Sequence, residues 1–326
     1  MDNESANAAA AFGLDITGSQ SLCPYGPVFR IATADGEIVL KRTGFPRSSG
    51  KAIAAWLHGL SSRGVAMLVP DGRYMPNPRR IEGQWPGEWV VYPFVTGKPY
   101  HATVKQIETA GTLLGQVHAA GSDLGDGMME EPHLPLRSSE WITEHAARSE
   151  RVVAEHASSL SATWGSLLAD RLARHAKAEP RLRKMALPVA ACSWDYKASN
   201  LVFVSANPVL IDPDHAGRIP RLYDLACALL LFHCDHASSP GRLFTQGEWT
   251  AFAGGYAGAV TLEVGERHAW SDVLLAAWID QALWLIANWP EGWSDERERT
   301  FLTDLATVDL DAFELWSDAD EGSEAR

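Results

Sequence analysis

The chain has 326 residues, 46% of them hydrophobic and 13 of them Trp, enough for one large domain or two lobes with a substantial core. Its formal net charge is −13, which argues against a nucleic-acid partner, because phosphate backbones need a basic face. The four Cys form no CxxC pair and the acidic start lacks the basic, apolar pattern of a signal peptide, so a reduced, cytoplasmic setting is expected.

In chain order, "VFRIAT", "ADGE" and "IVLKRT" predict a β-hairpin turning at Asp35 and Gly36. A helix is expected over 49–63, where Ile53, Trp56, Leu57 and Leu60 share one face and Gly64 supplies a stop. "AMLVPD" and "EWVVYPFV" read as two further strands, and "TGKPY" breaks the run as a connector near 96–100. Beyond it the pattern turns helical, first in "VKQIETAGTLLGQVHAAG" and then over 139–187. A short hairpin, "NLVFVSANPVLID", interrupts the helices, and apolar helical stripes resume from "YDLACALLLFH" to the last Trp residues. "LACALLLF" is the most apolar stretch and is too short to cross a bilayer, so no membrane partner is expected. The expected divisions are a tail (1–18), a β-rich N-lobe (19–96), a helical C-lobe (97–316) and a second tail (317–326).

Two polar knots flank the second hairpin. "CSWDYKASN" places Asp195 five residues before Asn200, and "LIDPDHAG" places Asp212 twelve residues after it. A hairpin returns its end close to its start, so the three side chains converge at one mouth. A carboxylate and an amide oxygen suit Mg²⁺, which prefers oxygen ligands. Asp195 is then left to face an acceptor hydroxyl, the division of labour that phosphoryl transfer requires. Asp214 reads either as a second carboxylate near the metal or as a surface turn residue.

The ordered set of D-x-x-x-x-N, hairpin, I-D-x-x-x-x-G and D-L-A resembles the aminoglycoside phosphotransferase and choline kinase family, over about residues 20–290. The resemblance implies an α+β, two-lobed protein-kinase-like fold, with a small antiparallel-β N-lobe and a larger α-helical C-lobe. It implies Asp195 as catalytic base, Asn200 and Asp212 as Mg²⁺ ligands, Asp224 as a brace of the catalytic loop and Lys41 on the α- and β-phosphates of ATP or GTP. It places the hinge in "VVYPFVTGKPY", with adenine meeting backbone groups between Tyr92 and Phe94, and puts His118 on the following helix. Trp194, Asp280 and Trp284 are candidates for the acceptor pocket.

This sequence departs from the family pattern at three places. Ser193 and Trp194 stand where His and Gly are usual, and "SLCPYGPVF" holds a single glycine, Gly26. From Ile38 to Pro70 there is no Asp or Glu, so the helix carboxylate that pairs with the strand lysine is missing, and Lys41 either pairs with another acid, Asp212 being one, or binds phosphate unpaired. "GFPRSSGKA" fails as a P-loop on its count and on Ala52, and "FHCDHA" lacks zinc spacing. The expected activity is phosphorylation of a hydroxyl on a small molecule. The acidic C-terminal third favours a cationic one, such as an aminoglycoside or basic peptide antibiotic, in a resistance or natural-product role. Two alternatives are a Ser/Thr kinase acting on a precursor peptide, with Trp194 reshaping the site, and a catalytically silent scaffold, motivated by the missing helix carboxylate; a metabolic kinase for choline, homoserine or a sugar is a further variant of the enzyme reading.

Overall fold

The computed structural model describes residues 3–23, 26–43, 47–82, 87–234 and 237–315. The predicted hairpin is there, as β2 (Val28–Thr33) and β3 (Gly36–Arg42), preceded by α1 (Asn3–Ala11) and β1 (Gly18–Ser21). Thr33 pairs with Gly36, so the turn residues are Ala34 and Asp35, one position earlier than expected. Helix α2 (Gly50–Ser62) starts where Ser49 accepts a hydrogen bond from the Ala52 N–H. After it come β4 (Arg79–Arg80) and β5 (Glu88–Pro93), giving an antiparallel sheet of order β1-β2-β3-β5-β4.

Strand alternation sorts this sheet into two faces. Ile38, Leu40, Trp89 and Val91 point outward into a small core that α1 closes with Ala8, Ala9 and Phe12. The expected N-terminal tail is therefore a packed helix, and Glu4 reinforces it by pairing with Arg42 at 3.0 Å. On the inner face, Val90 and Tyr92 meet Ile53, Trp56, Leu57 and Leu60 of α2. Lys41 lies opposite Val90 in the register and shares this inner side. "AMLVPD" forms no strand of this sheet. Met67 makes an isolated bridge to Leu210 in the second hairpin, and the Leu68 N–H donates to the Leu210 carbonyl.

The larger lobe begins with α3 (Val104–Gly121), and the expected helical run 139–187 divides into α4 (Ser139–His156) and α5 (Ser161–Leu182). Then come β6 (Val189–Cys192), β7 (Leu201–Val204), β8 (Asn207–Leu210) and β9 (Gly217–Pro220), pairing as β6-β9 and β7-β8. The rest is α6 (Arg221–Leu231), α7 (Gln246–Ala257), α8 (Val264–Ala277), α9 (Leu283–Asn288), α10 (Pro290–Ser294) and α11 (Glu296–Thr307). Helices α3 and α7 cross very closely. A Cβ on Gly111 would lie 1.9 Å from the Phe252 carbonyl oxygen, and one on Gly255 2.0 Å from that of Glu108, so only glycine fits at either place.

Between α8 and α9 a π-helical turn, Trp278–Ala282, keeps the axis continuous. The whole run Val264–Asn288 is long and apolar enough to cross a membrane, a length that the short stretch "LACALLLF" does not reach. Within its apolar window 72% is buried inside the fold, as a core helix requires.

Candidate active site

The catalytic-loop candidates are held by backbone bonds on both sides. Leaving β6, the chain passes Ser193 and Trp194 to Asp195, and a 3₁₀ turn, Ala198–Asn200, leads into β7. The Tyr196 hydroxyl donates to the Ala110 carbonyl of α3 at 2.7 Å, and the Ala198 N–H donates to the Phe232 carbonyl after α6 at 2.9 Å. Asn200 turns its amide nitrogen inward, donating to the Asp195 carbonyl at 2.8 Å and to its carboxylate at 3.1 Å. That leaves the Asn200 carbonyl oxygen without a hydrogen bond among the described residues. The Ile211 N–H donates to the Asn200 main-chain carbonyl at 2.9 Å, which sets Asp212 beside Asn200 as the hairpin argument expects.

Lys41 completes the cluster from the other lobe. Its ammonium meets Asp212 at 2.5 Å and Asp214 at 3.0 Å, while Asp214 is 10% exposed. Burial alone would lower the Lys41 pKa. The adjacent charges and hydrogen bonds of Asp212 and Asp214 outweigh it and raise the pKa, so the lysine is a fixed cation at neutral pH. The absent helix carboxylate is thus replaced by two aspartates of one loop, and Asp214 is no surface turn residue. Lys197, to which the sequence reading gave no role, places its ammonium 3.3 Å from the Asp195 carboxylate. Asp195 therefore sits between an amide donor and a cation.

The other candidates separate into cleft and core. Tyr92 is buried at the inner end of β5, where burial first and then the charges of Asp214 and Asp212 push its phenol pKa well up, so it stays neutral. The Phe94 N–H is committed to the Glu37 carbonyl at 3.2 Å, and its ring carries the Arg30 guanidinium at 4.2 Å. A ligand at the connector would find the Val95 N–H instead, which makes no hydrogen bond among the described residues.

Asp224 is fully buried under the catalytic loop, accepting from His118 at 3.0 Å, while the second His118 nitrogen meets the Tyr256 hydroxyl at 2.9 Å. The other Asp224 oxygen has no hydrogen-bond partner among the described residues, so Asp224 touches the loop through packing beside Cys192. Trp284 is 48% exposed, whereas Asp280 is 4% exposed and already occupied by Arg137, Tyr223 and Gln281. Pro24 and Tyr25 of "SLCPYGPVF", residues 44–46 of the P-loop-like stretch, and Asp235 and His236 of "FHCDHA" lie outside the described residues.

The profile of the phosphotransferase enzyme family (APH) matches residues 26–270, three-quarters of the chain and every residue of this cluster. The chain belongs to the phosphotransferase enzyme family. Its activity class is phosphoryl transfer to an alcohol group of a small molecule, and the two-lobed kinase-like fold is shown. A search of curated protein sequences finds no match. Among solved structures, an amicoumacin kinase in complex with AMP-PNP, Ca²⁺ and Ami is similar at 15% identity and TM-score 0.59, over 97% of this chain and 95% of that one. An aminoglycoside phosphotransferase from Alicyclobacillus acidocaldarius is similar at 15% identity and TM-score 0.56, over 91% and 93%. A fructosamine-3-kinase from Thermobifida fusca is similar at 18% identity and TM-score 0.54, over 94% and 98%.

Against the family pattern, Trp194 is the most consequential departure. Its φ is +56°, a left-handed conformation that glycine adopts freely and that costs a side-chain-bearing residue about 1–2 kcal/mol. The ring is 8% exposed and lies under the Arg47 guanidinium at 3.7 Å, so it is packed beside Asp195 rather than presented as an open platform for a ligand. Truncating a buried Trp costs about 3–5 kcal/mol, more than the strain it would relieve. Trp194→Gly is therefore expected to lower stability by about 1–4 kcal/mol, the difference of those two ranges. Urea denaturation measures this, and a variant more stable than the parent would show that backbone strain dominates.

Proposed function

We propose that this phosphotransferase uses Mg²⁺ with ATP or GTP and moves the γ-phosphoryl group to a hydroxyl of a small molecule. The observation that carries this reading is the convergence of Lys41, Asn200, Asp212 and Asp195 from three separate segments on one cleft. The Asn200 carbonyl oxygen and the half-exposed Asp212 carboxylate are oxygen donors of the hardness that Mg²⁺ selects. When bound, the ion supplies charge neutralisation for the phosphates. Lys41 binds the α- and β-phosphates and is held ready for them by Asp214. Asp195 orients the acceptor hydroxyl and takes its proton as the oxygen forms a bond to the γ-phosphorus and the β–γ bridging bond breaks. Lys197 lies beside Asp195, where it meets the charge of the transferring group.

Part of the charge of the acidic C-terminal third is neutralised within the fold. Asp280 pairs with Arg137, Asp272 with Arg181, Asp311 with Arg174 and Glu266 with Arg221, all four cations coming from outside that third. Incubation with Mg-ATP or Mg-GTP and a set of hydroxylated acceptors, followed by mass spectrometry, tests the reading. A gain of one phosphoryl group is the expected result, and the absence of any nucleotide use in the presence of Mg²⁺ would count against it.

A further inference from the structure

The C-lobe contains a second built polar cluster. The Asp280 carboxylate lies in the π-helical turn, 4% exposed, and takes hydrogen bonds from the Tyr223 hydroxyl, the Gln281 amide at 2.6 Å and Arg137 Nε. Arg137 precedes α4, and its guanidinium lies 4.8 Å from the centre of the Trp141 ring. One edge of the guanidinium is thus fixed by a buried carboxylate and one face is covered by an aromatic ring. The two terminal nitrogens make no hydrogen bond among the described residues, although the side chain is 41% exposed. Holding an arginine in this way fixes the fork that matches a carboxylate bidentately, without the usual loss of rotamer freedom.

Three features connect this cluster to the elements that carry Trp194 and Asp195. The segment leading to Arg137 runs against β9, with the Arg218 N–H donating to the Met129 carbonyl and the Glu131 N–H to the Arg218 carbonyl, each at 2.8 Å. At Gly217 that segment meets Trp194, the neighbour of Asp195: a Cβ there would lie 3.2 Å from the Met129 oxygen and 3.4 Å from the Trp194 ring. Helix α6 carries Tyr223, which holds Asp280, and one turn later Cys227, whose thiol feels the charges of both Asp280 and Asp195.

We infer that Arg137, fixed by Asp280 and Trp141, binds a carboxylate of the acceptor, so that the substrate is a hydroxylated organic acid rather than a polycation. Exposed Trp284 is carried on α9, the helix against which α4 packs. The inference rests on the phosphotransferase reading for what happens to the hydroxyl, but carboxylate binding can be measured without turnover.

Two measurements test it. In protein with isotope-labelled arginine, the Arg137 guanidinium signals, assigned with Arg137→Lys, should shift saturably with gluconate and not with gluconamide. No saturable shift with gluconate, or an equal one with both, overturns the inference. In turnover assays, serine, homoserine and gluconate are each compared with the methyl ester or amide, and kanamycin stands for the polycations. The acid is the expected substrate, and Arg137→Ala should raise its KM roughly ten- to hundred-fold while leaving that of the carboxyl-blocked partner in place. Equal KM for acid and carboxyl-blocked partner in the unaltered protein, or turnover of kanamycin alone, overturns the inference and leaves the phosphotransferase reading standing. Loss of Asp195-dependent nucleotide use would instead remove the reading beneath it, and with it the assignment of the carboxylate to an acceptor.

Discussion

Asp195→Asn is expected to lower kcat for phosphoryl transfer by about 10²–10⁴-fold, or about 3–5 kcal/mol of transition-state stabilisation. The substitution keeps the shape and one acceptor oxygen, so the hydrogen bond from the Asn200 amide at 3.1 Å can persist and the loop stays pinned through Tyr196 and Ala198. What is lost is the ability to take a proton, together with the charge facing Lys197. The KM for nucleotide should change little, because Asp195 is not among the groups assigned to the phosphates. Steady-state kinetics with a phosphorylated acceptor separates the two parameters. An unchanged kcat would show that the hydroxyl needs no base here, while a raised nucleotide KM would move Asp195 into the metal site.

Lys41→Met is the second large effect. It removes the cation assigned to the α- and β-phosphates and is expected to lower kcat/KM for nucleotide by about 10²–10³-fold, the range for losing one preorganised electrostatic contact. It also leaves Asp212 and Asp214 facing each other, and taking one partner from a buried ion pair costs about 3–5 kcal/mol. The half-exposed Asp212 lets water absorb part of that cost. Adding Asp214→Asn should therefore restore stability without restoring activity. Thermal denaturation beside kinetics distinguishes the two losses, and recovery of activity in the double variant would show that Lys41 acts only by neutralising its neighbours. Because the folded pKa of Lys41 is raised above its ordinary 10.5, its contribution to stability is complete below that value and is lost only as pH rises through the folded value. A pH–rate profile near neutrality will not report it.

The parts of this molecule set by short-range pattern were readable in the sequence. The β2–β3 hairpin, the apolar stripe of α2 and the order of Asp195, Asn200, Asp212 and Asp224 each need only a few neighbouring residues to declare themselves. What escaped is what partners distant in sequence decide. "AMLVPD" has strand composition, yet its backbone bonds to Leu210, about 140 residues on, so it joins no sheet of its own lobe. The run 3–12 reads as an alanine-rich tail until the outer face of the sheet, with Trp89 and Val91 on it, asks for a cover. How much of the C-terminal charge is already met inside the fold was also hidden, because the arginines that neutralise Asp272, Asp280 and Asp311 sit on or beside α4 and α5, far away in the chain. Lys197 stood in plain view two residues after Asp195, and the spacing alone was a usable signal.

The strand-to-helix loop of the N-lobe touches the other lobe directly. The buried Ser48 hydroxyl donates to the Ala216 carbonyl at 2.7 Å and accepts from the Met129 N–H at 3.0 Å, and the neighbouring Arg47 lies over Trp194. At the connector, Lys98 and Phe203 exchange a pair of main-chain bonds. Together with the backbone bond from Leu68 to Leu210 and the Lys41 ion pairs to Asp212 and Asp214, these contacts tie the small lobe to the large one at several separated places, so removing the Ser48 hydroxyl would loosen one tie and leave the others standing.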